Sequence, residues 1–367
     1  TTKCYKLVAK THRLAALKSM KKEWTGILDE EKLAKVIAIN KELSQMPGYN
    51  STDAKEAEMV YSKGQGISDI RELLNYAFSK GFRSYDYYRA NSLTEKDAEV
   101  FYEMRTKTLK DWLYSEEAEY MYSENEKQFL IKKYEEMQTP LYYDYTSGWK
   151  QLFEFFPTVI MLTMLVLGFI TSGLFSCEYA WKADAIFFLT ERGKNKAITA
   201  KLAAGFLIVT AAYIAAVTIY SLITLGYLGA DGASCAIQLI SWKSFYNLQI
   251  WQAYLLVVLG GYVGSLFISA LCMLVSAMSR SAVVAMVIPF VLLFVPSFVG
   301  MVQNPLVTKI LGLLPDQLLQ VNMVLVYFNL YELGGKVAGA LGLLFAIYGI
   351  FTVFLFPVTY RVFGSRE

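Results

Sequence analysis

The chain has 367 residues and a formal net charge of only +3, too small and too dispersed for nucleic-acid binding, which needs a clustered basic face. Its single histidine, His12, excludes multi-histidine metal sites, and Cys4, Cys177, Cys235 and Cys272 form no C-x-x-C pair that would hold zinc or begin a disulfide framework. The charges divide the chain in two: residues 1–150 hold 24 Lys+Arg and 24 Asp+Glu, residues 151–367 only 11 and 8, so the second part is too apolar for a water-soluble domain.

The first part, residues 1–150, reads as a helical domain. Asp29 can cap a helix reaching Gln45 whose apolar face is Leu33, Val36, Ile37 and Leu43. The stretch Met46 to Gly66, with Pro47, Gly48, Gly64 and Gly66, reads as a mobile loop. Ser68 or Asp69 can start a second helix through Ile70, Leu73, Leu74, Ala77 and Phe78. Thr94 with Asp97, and Ser123 with Glu126, have the spacing of capping boxes and predict two more helices. Next comes an aromatic run that includes Tyr142, Tyr143, Tyr145 and Trp149. Amphipathic rings collect at headgroup level, so these four are expected to form a membrane-interface collar.

Five segments beyond it are about 20 residues long, apolar and free of Asp, Glu, Lys, Arg and His, as suits helices that cross a bilayer: 155–175, 202–228, 253–275, 282–302 and 337–358. Pro289 and Pro296 should kink the fourth. Gly260 and Gly264 form a G-x-x-x-G, best read as packing within one subunit. Positive charge marks the cytoplasmic loops. One set of loops carries Lys182, Arg192, Lys194, Lys196, Lys201, Arg280, Arg361 and Arg366, the other only Lys243, Lys309 and Lys336. That puts the C-terminus inside and, with five spans, residues 1–150 outside. An outside domain must be carried across, yet residues 1–22 have no apolar signal, so a further span upstream of Thr1 is expected, making six, with a cleaved signal peptide as the alternative.

No G-x-x-x-x-G-K-[ST], H-E-x-x-H or G-x-S-x-G occurs, and no catalytic or metal site is legible. The visible spans carry no ionisable coupling group, so energy for any uphill transport must come from a partner. The substantial cytoplasmic surface is residues 177–201. There Ala183, Ile186, Phe187 and Thr190 are expected on one face of a short helix beginning near Tyr179, and Gly193 to end it in the left-handed conformation. Spacing alone leaves two readings open, a helix lying on the inner leaflet and a helix docking onto a protein.

The order of Glu178 just after a span, an amphipathic helix, then Leu189, Thr190, Arg192, Gly193 and Lys194, with Lys201 at the next span, resembles the cytoplasmic loop of type-2 ATP-binding-cassette (ABC) exporter permeases. The resemblance covers residues 140–367, including the turn Met278-Ser279-Arg280 and a segment, 303–335, where the family has short re-entrant helices. It implies an all-α polytopic membrane protein in the plasma membrane with six spans and a helical extracellular domain. It also implies that the loop is the coupling helix, with Glu178, Tyr179, Lys182, Ile186, Phe187, Thr190, Arg192, Gly193, Lys194 and Lys201 as the ATPase-coupling residues. The implied partners are cytoplasmic ABC ATPase subunits, which would hold ATP and Mg, a second permease, identical or paralogous, and membrane lipids. The chain itself would hold no cofactor and hydrolyse nothing. The inserted domain resembles that of Gram-positive members exporting antimicrobial peptides, lipids or cell-envelope components. The alternative from another class is a membrane sensor whose extracellular domain binds a ligand.

Overall fold

The computed structural model describes residues 13–190, 193, 195–299 and 305–365. They divide into two compact units, Thr1–Lys150 with Tyr227–Gln252, and Gln151–Gly226 with Ala253–Glu367. The first unit therefore extends beyond the expected 1–150, because the connection at 227–252 packs into it.

In the first unit, α1 covers residues 13–22, and strand β1, Gly26–Ile27, pairs antiparallel with β2, Tyr142–Tyr143. The carboxylate of Asp29 accepts from the Lys32 amide at 2.9 Å, and α2 follows over Glu30–Gln45, burying Leu33, Val36, Ile37 and Leu43 as the spacing requires. The stretch 46–66 is not a loop. It holds a 3₁₀ turn, Pro47–Asn50, and a helix α3, Ala54–Lys63, capped by Asp53, which accepts from the Lys55 amide at 2.8 Å. Only Val60 of α3 is buried, so the helix has no apolar period to read and its flanking glycines dominate the sequence. Helix α4, Ser68–Ala77, buries Ile70, Leu73 and Leu74. The Thr94 and Asp97 box forms but caps a 3₁₀ turn, Glu95–Ala98, ahead of α5, Phe101–Leu113. The Ser123 and Glu126 box starts α6, Glu124–Glu135.

Two sets of contacts hold 227–252 in this unit. The guanidinium of Arg105 is buried over the Tyr134 ring, 3.6 Å from its centroid, and donates to the carbonyls of Trp242 at 3.3 Å and Ser244 at 2.7 Å. Asp231 pairs with Lys18 and, at 2.6 Å, with Lys22. The expected collar is corrected by burial: Tyr143, Tyr145 and Trp149 lie in the interior of this unit, and only Tyr142 is exposed. Trp149 donates its indole N–H to the Ala230 carbonyl at 3.2 Å.

In the second unit, α7 covers Ser147–Ser172, its first four residues belonging to the first unit. Short helices α8, Cys177–Ala180, and α9, Asp184–Leu189, lead into α10, Lys196–Leu228. Then come α11, Ile250–Ser279, and α12, Ala282–Val299. Helix α13, Pro305–Leu311, and α14, Val321–Val324, flank a 3₁₀ turn at Pro315–Leu318. An antiparallel hairpin of β3, Leu330–Leu333, and β4, Lys336–Gly339, precedes α15, Ala340–Gly364. Gly334 and Gly335 turn this hairpin with positive φ of 56° and 78°. Helices α7, α10, α11 and α15 are long and apolar enough to cross a membrane, whereas α12 is a shorter apolar helix. Large apolar side chains such as Leu207, Leu222, Val353 and Phe354 face outward, a surface that suits hydrocarbon and not water.

Small residues set the packing here. A Cβ on Gly260 would collide with Val321, and one on Gly264 would come within 2.5 Å of Met164 and 3.2 Å of Leu318, so the G-x-x-x-G works inside the unit. Gly168 makes room in the same way for Pro289 of α12. Polar groups within the spans pair across helices: Tyr213 donates to the Val258 carbonyl at 2.7 Å, and the Ser221 and Tyr254 hydroxyls meet at 2.8 Å.

Candidate functional site

The segment after α7 forms two short helices instead of one. Helix α8 stops at Ala180, and Lys182 takes a positive φ of 54° that breaks the chain before α9 begins at Asp184. A non-glycine residue in the left-handed region costs about 1 kcal/mol, so neighbouring contacts must hold the turn. Arg280, also at positive φ, 58°, lays its guanidinium over the Tyr179 ring, 5.0 Å from the centroid.

Lys201 is the centre of those contacts. Its ammonium, at the start of α10, pairs with Glu178 and donates to the Leu174 carbonyl at 2.5 Å and the Cys177 sulfur at 3.4 Å. Three aromatic faces surround it, Phe175 and Phe187 at 5.5 Å and Phe363 at 5.7 Å. Both charged side chains are largely buried, so each needs the other. Burial and the hydrogen bond to Glu178 raise the Cys177 thiol above its ordinary pKa, which keeps it a neutral neighbour of the pair. Phe363 is the hub of the ring cluster, with centroids 4.9 Å from Phe175, 5.2 Å from Phe188 and 6.0 Å from Phe187. Phe175, Phe188 and Phe363 went unmarked in the sequence. Phe363 lies beyond the last expected span, 337–358, and is brought into the cluster because α15 continues to Gly364.

The expected amphipathic face divides. Phe187 packs against the core cluster of Phe175 and Phe363 and Ala183 is half-buried, whereas Ile186 is 71% and Leu189 86% exposed, with Trp181 beside them at 78% and Lys182 also exposed. Phe187 is therefore an internal anchor, and the outward apolar surface is Trp181, Ile186 and Leu189. Thr190 closes α9 by donating its hydroxyl to the Phe187 carbonyl at 2.8 Å. Gly193 is not in the left-handed region. It is a glycine because a Cβ there would collide with the Phe187 carbonyl. Arg192 and Lys194 lie outside the described residues.

One buried acid also escaped sequence reading. Asp316, in the 3₁₀ turn, is 5% exposed, accepts from the Gln317 amide at 2.8 Å and leaves its other oxygen without a partner. A lone aspartate between spans reads as solvated, and nothing in the local pattern announces its burial.

The four long apolar helices define the class as a helical multi-pass membrane protein. Compared with protein-family models, with curated proteins and with solved structures, the chain matches none of them.

Proposed function

We propose that the chain is the permease subunit of an ATP-driven ABC exporter in the plasma membrane, paired with a second permease and driven by cytoplasmic ATPase subunits, with its first unit outside the cell. The observation that carries this reading is a short helix braced from within and apolar on its outward side. Lys201, Glu178 and the Phe363 ring cluster fix α9, while Trp181, Ile186 and Leu189 remain uncovered. Six residues bury too little surface to hold a helix on lipid alone, and a braced apolar knob suits a groove in a partner. ATP-driven closure of the ATPases would push on α9, and the brace would pass that displacement to α7, α10 and α15 together. The charge asymmetry of the loops supports the orientation. So does the packing of 227–252 with residues 1–150, since a connection and a domain that share one core lie on one side of the membrane.

The test separates the knob from its brace. Ile186→Asp and Leu189→Asp in the full chain should leave expression and thermal stability within about 0.5 kcal/mol of the parent while releasing the ATPase or uncoupling its hydrolysis from transport. Phe187→Ala, acting from inside, should lower stability by about 2 to 4 kcal/mol. Normal ATPase stoichiometry and normal transport in both aspartate variants would remove α9 as the energy input and put the sensor reading ahead.

A further inference from the structure

The first unit carries a groove for which neither its own folding nor the coupling segment has a use. Two adjoining depressions, of about 250 Å³ and 120 Å³, share Tyr61, Gln65, Arg71 and Tyr87. Tyr61 comes from α3, the helix hidden in the glycine-flanked stretch, and Tyr85, Tyr87 and Tyr88 from the irregular segment after α4. Tyr61 is 62% and Tyr88 58% exposed, so these rings contribute little to the core. Isolated exposed tyrosines need no explanation, but several converging on one concave surface do.

Charge narrows the ligand. Glu72 is paired with Lys150 at 2.5 Å, and Asp69 with Lys21 at 2.8 Å while also accepting from the Tyr143 hydroxyl at 3.2 Å. Both carboxylates are thus compensated. Arg71 is not: its guanidinium donates to the Tyr87 hydroxyl at 2.5 Å and stands 4.8 Å from that ring's centroid, with no carboxylate in ion-pair reach among the described residues. The groove thus offers one uncompensated, geometrically fixed cation beside tyrosine faces, with the Gln65 amide and the Ser68 hydroxyl on the same wall. A guanidinium fork recognises a carboxylate or phosphate. Tyrosine rings and amides recognise the alternating C–H faces and hydroxyl edges of a sugar. An extended peptide would want a free sheet edge, and neither β1 nor β2 lines the groove.

We infer that this groove binds a saccharide bearing an anionic group, the anion on Arg71 and the sugar face against Tyr61 and Tyr87. This deepens the exporter reading by giving the outer unit a ligand class, and it rests on that reading only for the source of the saccharide. The test uses the full chain purified in detergent, without ATPase, so its outcome is independent of the coupling experiment.

Calorimetric titration with a hyaluronan tetrasaccharide, which carries glucuronates, should give a dissociation constant of about 1 mM or below. Neutral chitotetraose should bind about tenfold more weakly. Arg71→Gln should weaken the acidic sugar by about tenfold and erase its advantage over the neutral one, and Tyr61→Ala, at an exposed ring, should weaken both sugars. Tyr120→Ala, 84% exposed and outside the groove, should change neither. Thermal melts of each variant confirm that the fold persists. No sugar binding up to about 10 mM overturns the inference. So does equal binding of tetraglutamate, or acidic-sugar binding that survives Arg71→Gln.

Discussion

The two units solve the placement of charge in opposite ways. In the first, ionic groups are abundant, and most of the ion pairs sit at or near the surface where each contributes little, as between Lys110 and Glu135 or Lys133 and Glu136. Its helices α2, α3 and α6 begin on side-chain caps, and its core is largely aliphatic and aromatic. In the second, the long helices are packed by glycines and cross-linked by hydroxyls, and one largely buried ion pair, Lys201 with Glu178, stands among three phenylalanines. Removing an ionic partner is therefore a small event in most of the first unit and a large one in the second. Buried cations in the charged unit test the rule, among them Lys21, which is paired with Asp69, and Arg105, whose Nε and Nη2 donate to carbonyls instead of a carboxylate while Nη1 has no hydrogen-bond partner among the described residues.

The largest effect should come from Lys201→Met, which strands Glu178 and should cost about 3 to 5 kcal/mol, with protease access opening at residues 184–190. Adding Glu178→Gln should restore most of the loss. Melting of the solubilised chain measures both, and equal melting of single and double variants would show that the pair is not coupled and would break the contrast. Arg105→Ala comes next, at about 2 to 4 kcal/mol, since the carbonyls of Trp242 and Ser244 lose charged donors and Tyr134 loses a cation on its face. Arg105→Lys should recover little because an ammonium lacks the planar fork. Faster hydrogen exchange confined to 237–249 is the expected readout. Full rescue by lysine would mean that charge alone matters there.

The smallest effect sharpens the comparison by pH. Hydrogen bonds from Lys18 and Lys22 hold the Asp231 carboxyl at a pKa of about 2, against an ordinary 3.8. A depressed carboxylate contributes stability above its unfolded pKa and loses it as pH falls through the folded value. Asp231→Asn should therefore cost about 1 kcal/mol near neutrality, and the gap from the parent should close as pH drops from about 4 toward 2. A gap unchanged at acid pH would assign the effect to packing.

Much of the fold was legible wherever a local rule has a local cause. Asp29, Ser123 with Glu126, and the uncharged apolar runs each predicted an element that formed. Long-range partners were not legible. Tyr143, Tyr145 and Trp149 look interfacial in sequence because the segment that covers this region, 227–252, arrives some eighty residues later. At the coupling segment, the residue types were read correctly and their directions were not. A helical wheel drawn from Tyr179 to Gly193 assumes one continuous helix, whereas the break at Lys182 re-aims α9 as a unit, so that Phe187 faces inward and Ile186, about 100° round the same helix, faces out. Helix α3 was lost for the opposite reason, having almost no buried face to announce it.

The grip of Arg105 on residues 137 and 139 positions further along has a consequence for biosynthesis. The first unit cannot close when residue 150 leaves the ribosome, since part of its interior is still to be made. Translation of the roughly one hundred residues up to Gln252, at about 5 to 20 residues per second, takes on the order of 5 to 20 s. During that interval α7 and α10 must be inserted while the half-built unit waits with the face around Arg105 and Tyr134 uncovered. This is a window in which a chaperone on that side of the membrane, or a protease, would meet the chain.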